Sequence, residues 1–198
     1  MNLTDILRGV YFKHPFSLLL IFCCVVFFSS TIFSQSFNDI SFKTEIQNLK
    51  TNLEKRSYLE KIDSIDQAIR NLNIDISSKY GKNSIEYCEV SSNMMLIDII
   101  NFKKIIYYLD CYDYPSIIDV GDKANLTPWL VIHHNFGMPF KYVGYEKLKK
   151  AWKDGVCSDK YFELYLHRIL DSYFKTNPED KNKTISELLI VSDNLFKK

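Results

Sequence analysis

"MMLIDIINFKKIIYYL", residues 94–109, decides the fold of this chain of 198 residues. Apolar side chains fall on most sides of it, with no regular alternation of apolar and polar positions. A half-buried strand would alternate with a period of two, whereas a helix apolar nearly all round belongs at the centre of a bundle. Asp98 and Asn101 interrupt the run three residues apart, so they share one helical face. An unpaired buried carboxylate is very costly, so Asp98 calls for a partner, with Arg70, Arg168 and His134 as the available groups. The plainer alternative is a narrow solvent-facing stripe, Asp98–Asn101–Lys104–Tyr108.

Outward from this run the periodicity stays helical. Phe42, Ile46, Leu49 and Leu53, then Ile62, Ile65, Ile69, Leu72 and Ile76, each form a stripe over 41–80. The two stripes are out of phase, which puts a break near 55–57. Gly81 closes that segment, and a second helix is expected over about 84–109. Pro115 fixes a turn at 112–116. A third helix is expected from about Asp122, either kinked by Pro128 or starting late with Thr127 as its cap. Further helices are expected over 145–153, over 158–174 capped by Ser158, and after Thr184. Residues 175–184 are expected to form a solvated loop. "SIIDV" (116–120) is the best strand candidate. The expected fold is all-α or mostly α, a single-domain bundle of five to six helices behind an N-terminal segment.

That segment has its own signature. Arg8 and Lys13 precede the apolar residues 16–28, and Ser34 stands before Gln35. A basic start, an apolar middle and a small residue before a polar stretch describe a secretory signal peptide, cut after Ser34. Uncleaved, residues 16–33 would form a membrane anchor near the lower length limit. Residues 35–57 are expected to form a helical extension and 58–198 the main domain.

Composition narrows the functions. At 46% hydrophobic and 15% aromatic the chain can fill a core. Lys and Arg number 25 against 24 Asp and Glu, an even balance that does not suit nucleic-acid binding. Cys88, Cys111 and Cys157 follow the expected cut, none in a CxxC pair, and are expected to be small buried hydrophobes. The spacing supports no metal site and no cofactor, and there is no Gly-x-Ser-x-Gly elbow.

The candidate site residues are polar groups on the apolar helices. Asp66 and Arg70 stand i, i+4 and Gln67 lies beside them. His133 and His134 end "TPWLVIHHN" (127–135) and diverge by about 100 degrees on a helix, which makes one shared metal difficult. His133 continues the Leu126–Trp129–Leu130 face and is expected to pack. His134 beside a carboxylate such as Asp98 would serve as a general base or a ligand. Arg168 would clamp an anion or neutralise a buried carboxylate.

Several short motifs occur in an order that resembles the DUF6624 family, small mostly secreted bacterial proteins of unknown function. They are "DQAIR" (66–70), "YGKNSIEY" (80–87), "DIIN" (98–101), "YDYPS" (112–116), "GDKANLTPWLVIHHN" (121–135) and "LHRIL" (166–170), within residues 58–174. Two positions depart from the family pattern: His133 stands where Gln is usual, and His167 where Asp is usual. The family's closing Tyr-Gly-Thr-Gln segment is absent. The resemblance thus implies positions for a site rather than a reaction. The expectation is an exported protein of the bacterial periplasm or cell surface, a non-enzymatic binding module for an unknown protein or small anionic ligand. Its polar cluster would be Asp66, Gln67, Arg70, Asp98, Asn101, His134 and Arg168. The alternative is a hydrolase or metal-dependent enzyme using Asp98 and His134, with Arg168 on an anion. An immunity-type protein is a third possibility, for which no residue argues.

Overall fold

A computed structural model describes residues 41–135, 137 and 140–196. The expected signal segment, and the membrane anchor that would replace it, lie outside these residues. Among the described residues there is no strand, and the fold is all-α. No described helix is long and apolar enough to cross a membrane. Residues 46–198 form one compact unit.

Residues 41–47 are helical. The break then falls at 48–51, earlier than the stripes suggest, because "TNLE" (51–54) is a capping box. Thr51 Oγ1 accepts from Glu54 N at 3.2 Å, and Glu54 Oε2 accepts from Thr51 N at 2.8 Å. The donors to its carboxylate, first the Thr51 N–H and then the Lys50 N–H, hold the Glu54 carboxyl below its ordinary value. Helix α1, Asn52–Tyr80, starts there and runs straight through 55–57. Thr51→Ala is therefore expected to cost about 1 kcal/mol in chemical denaturation. A smaller loss than a few tenths would show the box to be idle.

Helix α2, Ile85–Tyr112, is capped by Ser84, and α3, Ile117–His134, by Ser116. "SIIDV" is thus the first turn of α3 and not a strand. Gly121, at φ 79°, bends the chain after that turn, a conformation that glycine adopts without strain. Pro128 lies inside α3, and Thr127 does not cap it: Thr127 Oγ1 donates back to Lys123 O at 3.0 Å. The helix tolerates the lost bond because Ala124, Val131 and Ile132 are wholly buried on its inner face.

Helix α4, Phe140–Lys153, begins five residues before the expected start at Tyr145. Its Gly144 allows close approach: a Cβ there would lie 2.6 Å from Ile132 Cγ2 and 2.8 Å from Tyr165 Oη. Helix α5, Asp159–Ile169, is interrupted at Leu170, and α6, Asp171–Phe174, follows as one turn. The expected loop at 175–184 holds a 3-10 turn, Pro178–Asn182, whose Asp180 is buried against Tyr173 Oη and Lys183. Thr184 precedes α7, Ile185–Phe196, and shares Glu187 in a second capping box. The three cysteines among the described residues are free, but only Cys157 is buried; Cys88 and Cys111 are exposed, against expectation.

α1 packs on both α2 and α3, and the core lies among these three and α4 to α5. Its distribution is uneven. Tyr58, Leu59, Ile62 and Asp66 are the buried residues of α1, and those of α2 all fall between Asn101 and Leu109. From 67 to 100 no residue is buried. The far halves of α1 and α2 therefore pair with each other as a hairpin and leave the bundle. The expected central helix is central only in its second half.

Candidate functional site

The site lies where the hairpin joins the bundle. α1 supplies Asp66, Gln67 and Arg70, α2 supplies Asp98, and α3 supplies His134 from its last turn. The spacing of Asp66 and Arg70 puts both on one face of α1. Asp66 is buried, its side chain 1% exposed, while Arg70, Asp98 and His134 are 16–19% exposed.

Arg70 is the centre of the arrangement. Its Nη2 donates to Asp98 Oδ1 at 2.6 Å and to Asp66 Oδ1 at 3.1 Å. Its Nε donates to His134 Nδ1 at 2.9 Å. Gln67 Nε2 completes the set by donating to Asp66 Oδ2 at 2.9 Å. One guanidinium thus joins three helices, and its planar fork of donors explains why arginine rather than lysine stands here.

The histidine's chemistry follows from this bond. A guanidinium only donates, so Nδ1 of His134 accepts, and the neutral ring carries its proton on Nε2. Nδ1 also lies 3.1–3.2 Å from the two oxygens of Asp66. Donating to Asp66 would require a proton on Nδ1, which the facing Arg70 Nε–H opposes. His134 meets Asp66 and Arg70 directly, whereas Asp98 reaches the cluster through Arg70. The expected Asp98–His134 dyad is therefore replaced by two carboxylates and an imidazole arranged about an arginine. For His134 to act as a base through Nε2, the ring would need the other tautomer and Arg70 would lose its acceptor.

Burial raises Asp98 above the ordinary carboxylate value, and Arg70 opposes this without cancelling it. Asn135, the C-cap of α3, braces the same helix: its Nδ2 donates to Asp98 O at 3.1 Å and to Val131 O at 2.9 Å. Asn135 was not among the expected residues, and its position directly after a helical stripe was the available signal.

Two expected members stand apart. Asn101 lies one turn beyond Asp98, 2% exposed, and its Nδ2 has no hydrogen-bond partner among the described residues. Arg168 enters from α5 beside Arg70 and His133. Burial and the like charge of Arg70 hold it below its ordinary value. The carboxylates draw their cation from Arg70. His133 packs as expected, stacked on Trp129 with centroids 4.6 Å apart. Burial, Arg168 and His134 push its pKa down to about 4.

Among the described residues no group of three His, Cys, Asp or Glu side chains converges as a metal set. Asp66, Asp98 and His134 converge instead on the Arg70 guanidinium. Fold and site together define an all-α protein with a partly buried, arginine-centred polar knot. No protein-family model, curated protein or solved structure matches the chain.

Proposed function

We propose that this chain is an exported, non-enzymatic interaction module, similar to the DUF6624 proteins, whose polar knot is structural and whose α1–α2 hairpin carries the contact surface. One observation supports this above the rest: 34 consecutive residues, 67 to 100, include none that is buried. An isolated helical pair of this length is marginal in water, so its stability must come from packing against something. The knot anchors its base. Beyond the knot the hairpin shows water Leu72, Ile74, Met95 and Leu96, each 45–64% exposed, and Ile100 is 48% exposed beside the knot.

The alternative enzyme would need His134 or Asp98 free to move a proton, and Arg70 engages both. The hairpin, in contrast, lacks what a second apolar pair would supply. We take a second copy of this chain as the occupant, two hairpins completing a four-helix bundle. Leu72 and Ile74 lie about 200 degrees apart on α1 and cannot share one interface, so the second copy would cover Met95 and Leu96 of α2 together with one of them.

Light scattering tests this directly. The purified protein is expected to have the mass of a dimer at about 100 µM, and Met95→Glu/Leu96→Glu to be monomeric with unchanged helical content. A monomer at that concentration, or a dimer that survives the double substitution, overturns the proposal.

A further inference from the structure

The knot sets two carboxylates, Asp66 and Asp98, against the Arg70 guanidinium, and His134 touches both signs of charge. Its Nδ1 stands 2.9 Å from Arg70 Nε, which can only donate. The same nitrogen stands 3.1–3.2 Å from the oxygens of Asp66, which when ionised can only accept. One ring nitrogen cannot serve both partners. Without a proton it accepts from Arg70, and with one it donates to Asp66.

Charged and titratable groups face the ring from each helix packed around it. α1 supplies Asp66 and Arg70 in direct contact. α2 places Asp98 behind Arg70, within electrostatic reach of the ring. On α3 the neighbouring His133 lies with its ring centroid 6.1 Å away, and α5 brings Arg168 towards Arg70 and His133. The two carboxylates favour a proton on His134, and the two arginines oppose it. At 18% exposure the side chain has a route to solvent protons.

We propose that the knot is a proton-driven switch in which His134 exchanges partners. When Nδ1 takes up a proton, the new N–H donates to Asp66, and the Arg70 Nε–H, left facing an imidazolium, is released to water. Before the exchange one guanidinium joins α1, α2 and α3. After it Arg70 holds only α1 and α2 through Nη2, and the imidazolium ties α3 to α1 through Asp66. Asn135 keeps its bond from α3 to α2 throughout. Mild acid thereby uncouples the hairpin's arginine from α3. The exchange requires no second copy, so it succeeds or fails separately from dimerisation.

NMR of the purified, isotope-labelled protein reads both halves of the exchange. At about pH 8 the His134 ring is expected to have a bare Nδ1 and a protonated Nε2, and the Arg70 Nε–H to give a signal protected from water. Titration to about pH 5 crosses the range in which imidazoles charge. The Arg70 signal is expected to move with the same midpoint as the His134 ring nitrogens, and its exchange with water to quicken about tenfold or more as the bond is lost. His133, pushed down to about 4, stays mostly neutral in this range. His134→Asn offers an amide oxygen near the Nδ1 position that accepts but does not titrate, so its Arg70 signal is expected to stay protected and constant. If His134→Asn does not fold, the two midpoints of the parent carry the test. A neutral ring protonated at Nδ1, a ring that stays neutral throughout, or an Arg70 signal that stays fixed while His134 titrates overturns the proposal. So does an Arg70 signal that follows the Asp98 carboxyl instead, or that still moves in His134→Asn.

Discussion

Arg70→Met is expected to destabilise the protein by about 3–5 kcal/mol, the loss typical when one partner leaves a buried ion cluster. Met keeps much of the volume and removes all the donors. Asp66, its side chain 1% exposed, would keep only Gln67 and His134 beside it, and Asp98 would lose its cation. For a chain of this size the melting temperature should fall by roughly 10 °C. Charge can be separated from packing by repeating the change in an Asp66→Asn/Asp98→Asn background. There the same substitution should cost much less, since no carboxylate is left stranded. Urea denaturation of the four proteins decides it. A single variant within about 0.5 kcal/mol of the parent, typical of a neutral surface change, would show that the knot does not hold the three helices together.

The second large effect is acid sensitivity at His133. Its pKa is pushed down to about 4 in the fold, against an ordinary 6.5. A depressed value means that the unfolded chain takes up the proton first as the pH falls. His133 therefore adds its full stability above pH 6.5, and this is lost progressively as the pH falls towards 4. At pH 4.5 the parent should have lost about 2 kcal/mol more than His133→Phe, each relative to its own stability at pH 7. Phe preserves the stack on Trp129 and removes the buried, unpartnered Nδ1. Asp98 acts with the opposite sign. Its raised value lets the folded state take up a proton before the unfolded chain does, which adds stability as the pH falls towards 3.8. Since Asp98 is common to both proteins, the difference between them isolates His133. Parallel stability curves for the two between pH 7 and 4.5 would contradict this account.

Much of the scaffold was legible locally. Ser84, Ser158 and Thr184 announced their helices because a cap acts within three residues of itself. The first break was misplaced because Leu49 and Leu53 keep helical spacing across it, although "TNLE" marks the true start of α1. The members of the knot were visible as polar residues on apolar helices, and the Asp66–Arg70 pair was visible in its i, i+4 spacing, but the choice among partners on other helices was not. His134 and Arg70 are 64 residues apart, and whether Asp66 or Asp98 meets the imidazole depends on interhelical register, which no single-helix pattern encodes. The exposure of Met95, Leu96 and Ile100 was equally hidden. An apolar run is consistent with a core and with a surface that awaits a partner, and only the neighbouring chain distinguishes them.

The placement of the knot has a mechanical consequence. Arg70 stands ten residues before the end of α1 at Tyr80, roughly 15 Å along the axis at the rise of a helix. The hairpin is thus a lever with an ionic fulcrum. A load at its tip that prises α1 from α2 works against the Arg70–Asp98 bond, and through Arg70 Nε it pulls on the last turn of α3. A load that presses the two helices together meets the packing between them instead. Force that separates the hairpin's helices is therefore transmitted to His134 through Arg70.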